Sequence, residues 1–211
     1  RGQHEDVQTP VPDLNTYLAE WSVLHGGYDP AAGSRLVRTW LGLVYRLARP
    51  LARRRVSPSA ITAASVLVTA AVLPAAWAGG RWPLPAAAVV VASGLLDNLD
   101  GAVAVLRRRA SAWGYVLDSA ADRVCDVLYL AALWLLGAPA GLAVAAGGAM
   151  GMLEYLRARG AGAGYGDIGV VSVGERPTRI IVAAVGLAGA GAVPGLAGAA
   201  ATAGAAAALA G

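Results

Sequence analysis

Two groups of aspartates in the middle of the chain combine residue types and spacings that can carry out chemistry. Asp97 and Asp100 form the first group, and Asp118 and Asp122 form the second. They lie at the ends of two long apolar stretches. Because ionised carboxylates at membrane depth are costly unless cations neutralise them, four of them together indicate a functional site.

The spacing within each group predicts how the carboxylates meet. Residues three or four positions apart share one face of a helix, so Asp97 aligns with Asp100 and Asp118 aligns with Asp122. The intervening loop, at roughly residues 106–111, is short and predicts an antiparallel helix pair with the two groups facing each other. Four facing carboxylates repel unless divalent cations lie between them, and oxygen ligands select Mg²⁺, Mn²⁺ or Ca²⁺ over zinc. The sequence therefore predicts a site with room for two divalent ions.

Small residues accompany the aspartates. Gly101, Ala104 and Gly114 leave space for a bulky ligand to approach the backbone on the same face. The single cysteine, Cys125, excludes an internal disulfide and a multi-cysteine zinc site, and its apolar neighbours indicate a packing role.

The elements that position these residues are predicted to be membrane-spanning helices. Hydrophobic residues make up 57% of the chain, charged residues only 14%, and the mean hydropathy is +0.56, whereas soluble domains carry about 25% charged residues. A helix of about 20 apolar residues crosses a hydrocarbon core of about 30 Å. Six segments fit this description, at roughly 60–79, 84–106, 112–136, 139–159, 178–192 and 194–210. The predicted fold class is an all-α polytopic membrane protein with six transmembrane helices.

A basic amphipathic segment precedes the predicted spans. In residues 34–55 the arginines fall on one helix face and the apolar residues on the opposite one, which predicts a helix on an anionic membrane surface. An ordinary surface helix of a soluble domain is the alternative. Residues 1–33 are polar, contain several Pro and Gly, and are predicted to be irregular. We expect three parts: a polar N-terminal segment (1–33), a juxtamembrane helix (34–55) and a six-helix domain (56–211).

The arginine distribution predicts the orientation of the spans. The basic N-terminal part, residues 107–109 and the stretch from Arg157 to Arg179 fall on one side of a six-span arrangement, while the opposite loops carry only Arg81. By the positive-inside rule, the N-terminus and both aspartate groups are predicted to lie on the cytoplasmic side of the cell membrane.

The aspartate groups match a known pattern. The segment from Asp97 to Ala104, followed by that from Gly114 to Asp122, resembles the signature D-x-x-D-G-x-x-A-R-x8-G-x3-D-x3-D of the CDP-alcohol phosphatidyltransferases. The chain has Val105 where the signature has Arg. Residues 57–62 also resemble the Pro-Asn-x-Ile-Thr segment that begins the family's first span, and the resemblance covers roughly residues 34–195.

The resemblance implies a metal-dependent transfer in which an acceptor hydroxyl attacks the lipid-side phosphorus of CDP-diacylglycerol and CMP leaves. It implies that Asp97, Asp100, Asp118 and Asp122 bind two Mg²⁺ or Mn²⁺ ions and that Asp122 also serves as the general base. The residues implied to contact the CDP-linked lipid are Asp100, Gly101, Ala104, Gly114, Arg108 and Arg109. The family resemblance also implies a homodimer among membrane lipids, and nothing indicates a nucleic-acid partner.

Three residues near the signature leave alternatives open. Arg108 and Arg109 lie about one turn beyond Val105 and either replace the missing arginine or touch lipid headgroups. Asp126 continues the register of the second aspartate group, either as an acid behind the metal site or paired with Arg123, and the paired, structural role is favoured.

The acceptor must be inferred from the second basic stretch. Residues 155–159 and 174–179 resemble the Tyr-x-Lys-Ala-Arg and Glu-Arg-Pro-x-Arg segments of actinobacterial phosphatidylinositol phosphate synthases, which use inositol phosphate. Guanidinium groups match phosphate oxygens, so these segments predict an acceptor pocket, although cytoplasmic loops are commonly rich in arginine. The predicted acceptor residues are Arg157, Arg159, Arg176 and Arg179. The absence of basic residues from Ala206 to Gly211 counts against inositol phosphate, and phosphatidylglycerol (giving cardiolipin) and glycerol 3-phosphate are the rival acceptors.

A different function class fits the aspartates alone. A divalent-cation channel or carrier also places carboxylates within a membrane. Such a protein has no need of the small residues Gly101 and Ala104, so the sequence favours the transferase.

Overall fold

The computed structural model describes residues 11–24, 29–30, 35–165 and 176–210. The predicted all-α class is confirmed for these residues, which contain helices and no strand. A single 3₁₀ turn, Pro194–Leu196, precedes the last helix. The α-helices of the described residues are α1 (Leu14–Leu24), α2 (Arg35–Arg53), α3 (Pro58–Ala70), α4 (Val72–Ala78), α5 (Pro83–Leu106), α6 (Ala112–Leu135), α7 (Ala140–Gly162), α8 (Arg176–Ala192) and α9 (Ala197–Ala210).

Helix α1 lies within the N-terminal segment that was predicted to be irregular, and that prediction is wrong for residues 14–24. Asp13 begins the helix by accepting a hydrogen bond from the backbone N–H of Thr16 at 2.8 Å, as N-cap residues do. Tyr17 is buried, and its ring centroid lies 5.5 Å from that of Tyr45 on α2. The Tyr45 hydroxyl donates to the Pro12 carbonyl at 3.0 Å. Burial against α2 stabilises this short helix, and local sequence does not reveal such a contact.

Helix α2 confirms the predicted amphipathic helix with slightly shorter bounds. Its arginines are exposed, while Leu41, Val44 and Ala48 are buried in a cluster shared with α1 and α5. Trp40 and Leu43 lie between these faces and remain about 40% exposed. The helix therefore has a protein-facing side, an arginine side and an exposed apolar edge.

The first predicted span consists of two helices, α3 and α4. Pro74 has no N–H to donate to the Ala70 carbonyl and its ring clashes with that group. Helix α3 accordingly ends at Ala70, and α4 begins at Val72. Taken together, Pro58–Ala78 is still long and apolar enough to cross a membrane.

All six predicted apolar segments are helical in the described residues, but they differ in apolar length. Among the residues that the structure describes, only Pro58–Ala78 and Pro83–Leu106 are both long and apolar enough to qualify as spans by length and hydropathy. The segment Pro194–Ala210 is apolar but shorter. Helix α6 carries charged residues at positions between Asp118 and Asp126, which lowers its hydropathy.

Helices α5 and α6, which carry the aspartate groups, bring these groups together as predicted, and a third helix, α3, packs against both. The Ser93 hydroxyl of α5 lies 2.7 Å from the Tyr129 hydroxyl of α6. Asp97 of α5 lies beside Asp118 and Asp122 of α6. Helix α8 also packs against α5. The prediction that the two aspartate groups face each other is confirmed, while the closest backbone packing of α5 is against α8 and α3.

Candidate metal and anion site

Three of the four aspartates converge. Asp97 of α5 and Asp118 and Asp122 of α6 each offer one carboxylate oxygen, and these three atoms lie within 4.8 Å of one another. All three residues are partly buried. The Oδ1 atom of each is buried and accepts no hydrogen bond from the described residues. Three buried carboxylate oxygens this close together repel one another unless cations neutralise them, so the group fits a hard divalent metal ion.

Arg176, at the beginning of α8, supplies positive charge to the same carboxylates. Its Nη2 atom lies 2.9 Å from Asp97 Oδ1, and its Nη1 atom contacts Asp122 Oδ1. The sequence assigned Arg176 to the acceptor pocket, whereas the structure places it inside the carboxylate group. The preceding part of the motif, Gly174 and Glu175, lies outside the described residues.

Asp100 lies one turn beyond Asp97 and has different partners. Its side chain is only 5% exposed. The Thr62 hydroxyl of α3 donates to Asp100 Oδ2 at 2.5 Å, and the Gly101 N–H donates to Oδ1 at 2.6 Å. Sequence reasoning missed this role of Thr62, although residues 57–62 carried a family resemblance that drew attention to the segment. The structure thus fixes Asp100 in place beside the group of three rather than within it.

The two glycines of the signature differ in the space around them. Gly101 is exposed, and a Cβ atom there meets nothing within 4 Å, which agrees with the predicted open face. At Gly114 the same Cβ lies 3.2 Å from Ser111 Oγ. Ser111 is the N-cap of α6 and accepts from the Gly114 N–H at 3.1 Å. Gly114 therefore lies against the cap, while Gly101 borders open space.

Val105, the departure from the family signature, is buried in the apolar cluster shared by α1, α2 and α5. The loop after α5 is held instead by Arg107, whose Nη1 atom donates to the carbonyls of Arg55 at 2.9 Å and Val56 at 2.6 Å. Arg108 is exposed and lies 3.6 Å from Glu20 of α1. An arginine close to position 105 thus still joins this loop to the start of α3, which the sequence had not indicated.

A second charged cluster adjoins the carboxylates. Asp126 pairs with Arg123 at 3.3 Å, which confirms the favoured structural role, and with Arg179 of α8 at 2.6 Å. Glu154 of α7, which sequence reasoning did not single out, lies 3.0 Å from Arg179 and 3.4 Å from Arg157. Arg123 also approaches Asp122 at 3.8 Å and so connects this cluster to the carboxylate group.

The four arginines predicted to bind the acceptor therefore do not form one pocket. Arg176 lies among the carboxylates, Arg157 and Arg179 lie at Glu154, and Arg159 is exposed on α7. Residues that share a helix face are three or four positions apart, whereas Arg157 and Arg159 are only two positions apart. Their side chains therefore point in different directions from α7.

The fold and these two charged groups define a class. The chain belongs to the CDP-alcohol phosphatidyltransferase family, whose sequence model matches residues 55–209. Its similar proteins include two archaetidylinositol phosphate synthases. That of Aeropyrum pernix is 35% identical over 137 residues, which cover 62% of this chain and 68% of the relative. That of Methanothermobacter thermautotrophicus is 32% identical over 160 residues, which cover 74% and 80%. A phosphatidylinositol phosphate synthase of Mycobacterium marinum is 35% identical over 153 residues, which cover 69% and 62%.

Solved structures of the Mycobacterium tuberculosis phosphatidylinositol phosphate synthase resemble this fold. One contains CDP-diacylglycerol and the other contains manganese and citrate; both give a TM-score of 0.63 at 25% identity. The alignments cover 79% of this chain, and 87% and 83% of those chains. The prediction of a metal-dependent phosphotransferase is confirmed, as is that of a divalent-cation cofactor, since the three-carboxylate group fits such an ion. Family membership decides against the channel or carrier.

Proposed function

We propose that this enzyme transfers the phosphatidyl group of CDP-diacylglycerol to inositol phosphate and releases CMP. The observation that carries the proposal is the carboxylate group of Asp97, Asp118 and Asp122, with an arginine cluster beside it. The named relatives in archaea and mycobacteria differ in their lipid, archaetidyl or phosphatidyl, but the product of each contains inositol phosphate. This shared product supports inositol phosphate over phosphatidylglycerol or glycerol 3-phosphate as the acceptor.

In the proposed reaction, an acceptor hydroxyl oxygen forms a bond to the lipid-side phosphorus while the bond from that phosphorus to CMP breaks. Asp97, Asp100, Asp118 and Asp122 would hold two divalent cations, Mg²⁺ or Mn²⁺. When bound, these ions neutralise the pyrophosphate and stabilise the departing CMP. Asp122 accepts the proton of the attacking hydroxyl, and Thr62 holds Asp100 in one orientation.

The donor and acceptor are assigned to different parts of the site. The open face at Gly101, together with Ala104 and Gly114, receives the cytidine and phosphates of the donor. Arg108 and Arg109 lie on the exposed loop after α5 and contact lipid headgroups or donor phosphate. The acceptor phosphate binds at Arg157 and Arg179, which meet at Glu154, while Arg176 lies among the carboxylates and Arg159 is exposed on α7.

We further propose that all six apolar segments cross the membrane, with the N-terminus and the site on the cytoplasmic side. Helix α6 supports this, since its exposed Trp113 and Trp134 lie about 31 Å apart along the helix at 1.5 Å per residue. This distance matches the hydrocarbon core, and tryptophans favour its two interfaces. Trp77, near the end of α4, and Trp82, just before α5, are also exposed and lie toward the same side as Trp134. The proposal also includes the boundaries at residues 33 and 55, which separate the N-terminal segment, the juxtamembrane helix and the six-helix domain. It further includes a homodimer.

Activity measurements on the purified protein test the proposed reaction. CMP release from CDP-diacylglycerol is followed with Mn²⁺ or Mg²⁺ and separate additions of inositol phosphate, glycerol 3-phosphate and phosphatidylglycerol. We expect rapid release with inositol phosphate and much slower release with the other two. Faster release with either rival would overturn the acceptor assignment, and the absence of release with all three would overturn the transferase reaction itself.

A further inference from the structure

Three arginines converge on a single oxygen of Glu154. Its Oε1 atom lies 3.0 Å from Arg179 Nη2, 3.4 Å from Arg157 Nη1 and 3.6 Å from Arg123 Nη1. These arginines come from three helices, α8, α7 and α6 respectively. Guanidinium groups arranged around one anionic oxygen form the environment that a phosphate oxygen also prefers.

Glu154 is the member of this cluster best able to leave it. Its side chain is 34% exposed, whereas those of Arg179 and Asp126 are 6% exposed. Asp126 holds Arg179 at 2.6 Å from the opposite side, so Arg179 keeps a partner when Glu154 moves. Rotation of Glu154 toward solvent would leave the arginines in place around a space for another anion.

We propose that Glu154 is a specificity-determining residue that competes with the acceptor's phosphate for these arginines. The inference rests on the proposed function, because it assumes a phosphorylated acceptor. The carboxylate and the phosphate cannot both occupy the position among Arg123, Arg157 and Arg179. Phosphate binding therefore displaces Glu154, and an acceptor without phosphate has no anion with which to displace it.

Direct binding of inorganic phosphate tests the competition without turnover. The Glu154→Gln variant keeps the side-chain shape and removes the charge. If Glu154 is displaced in about one wild-type molecule in ten, phosphate should bind the variant about tenfold more tightly than the wild type. Isothermal titration of the detergent-solubilised full chain measures the Kd. The matched control is Glu20→Gln, whose carboxylate lies near Arg108 instead, and its Kd should equal that of the wild type. An unchanged or higher Kd in a folded Glu154→Gln protein would overturn the proposal.

A second variant covers the possibility that Glu154→Gln does not fold. Glu154→Asp keeps the charge but withdraws it by one methylene, so phosphate should bind more tightly than in the wild type. A Kd equal to or above the wild-type value in this variant also counts against competition.

Steady-state kinetics distinguish competition from a structural role. With inositol phosphate, Glu154→Gln should lower KM about tenfold and leave kcat unchanged, because a competitor affects binding of the acceptor but not the chemical step. A lower kcat with unchanged KM would contradict the inference. If the wild type does not use inositol phosphate at all, the proposed acceptor is wrong, and the phosphate titration still decides whether Glu154 competes with anions.

Discussion

Individual side chains of the site have separable tasks. Asp97, Asp118 and Asp122 converge within 4.8 Å, whereas Asp100 is hydrogen-bonded to Thr62. The first three therefore form a candidate metal site in which each offers an oxygen with no hydrogen bond from the described residues. Substitutions of single residues test these tasks separately.

The Asp122→Asn variant should retain binding of CDP-diacylglycerol and lose at least about 100-fold in turnover, because an amide cannot accept the acceptor's proton. Titration of the lipid nucleotide and CMP release measure the two properties. Asp29→Asn, at an exposed position of the N-terminal part, serves as the control. Turnover equal to that of the wild type would remove the base role of Asp122.

The Thr62→Val variant should require about tenfold more Mg²⁺ or Mn²⁺ for half-maximal CMP release, since loss of a hydrogen bond behind a metal ligand typically costs that much. Valine has nearly the shape of threonine but cannot donate to Asp100 Oδ2. Thr62→Ser keeps the hydroxyl and should restore most of the metal affinity. Equal metal dependence of the valine variant and the wild type would show that Thr62 has no role in holding Asp100.

At the scale of elements, the N-terminal helices and the loop after α5 support the end of α5 that carries Asp97 and Asp100. Helix α1 packs on α2 and α5, and Arg107 joins the loop after α5 to the loop before α3. These contacts hold the end of α5 on which the family signature lies.

The Arg107→Ala variant should lower the free energy of unfolding by about 1–2 kcal/mol, because it removes hydrogen bonds from a charged donor to the carbonyls of Arg55 and Val56. Arg109→Ala, at an exposed position two residues later, should change stability little. Thermal or denaturant unfolding in detergent measures the difference. Equal stability of the two variants would mean that Arg107 does not hold the loop.

The packing of α1 against α2 and α5 should weaken at alkaline pH. Burial raises the pKa of Tyr17 to about 12, above the usual value near 10. Between these values the unfolded tyrosine loses its proton and the buried one keeps it, so the stability from Tyr17 burial declines as pH rises above about 10. Tyr17→Phe should lose less stability between pH 9 and 11 than the wild type, as measured by melting temperature. Parallel pH profiles of the two proteins would disprove the docking effect.

At the scale of the whole molecule, the helices form an all-helical bundle of the CDP-alcohol phosphatidyltransferase family. The buried apolar residues form two clusters. One cluster contains residues of α1, α2 and the second half of α5. The other contains residues of α4, the first half of α5 and parts of α6, α8 and α9. The charged groups of the site lie on α5 to α8. Membrane orientation is a property of the whole chain, because it depends on the distribution of arginines over all of its loops.

Cysteine labelling in intact cells tests the proposed orientation. Cys125 is fully buried, so the wild type should not react with a membrane-impermeant thiol reagent. Arg81→Cys, in the loop between α4 and α5, should be labelled from outside, whereas Ala110→Cys, in the loop between α5 and α6, should be labelled only after the cells are opened. The reverse labelling pattern would invert the proposed topology.

Much of this protein could be predicted from local sequence. The spacing of Asp97 and Asp100, the spacing of Asp118 and Asp122, and the arginine face of α2 each depend on periodicity along a single helix, and the apolar segments are local runs of sequence. The family signature depends on the same local pattern. These features were therefore predicted before any contact between helices was known, and the family and the helical fold class are confirmed.

The partners of the charged residues depended on tertiary structure. Only the packing of α3 against α5 places Thr62 at Asp100, and only the position of α8 places Arg176 among the carboxylates rather than beside Arg157. Helix periodicity specifies which residues share a face, but not which face of a distant helix they meet, because that choice is made by burial across the whole bundle. The sequence alone thus determined that carboxylates and arginines would form the site, and the fold decided which arginine neutralises which carboxylate.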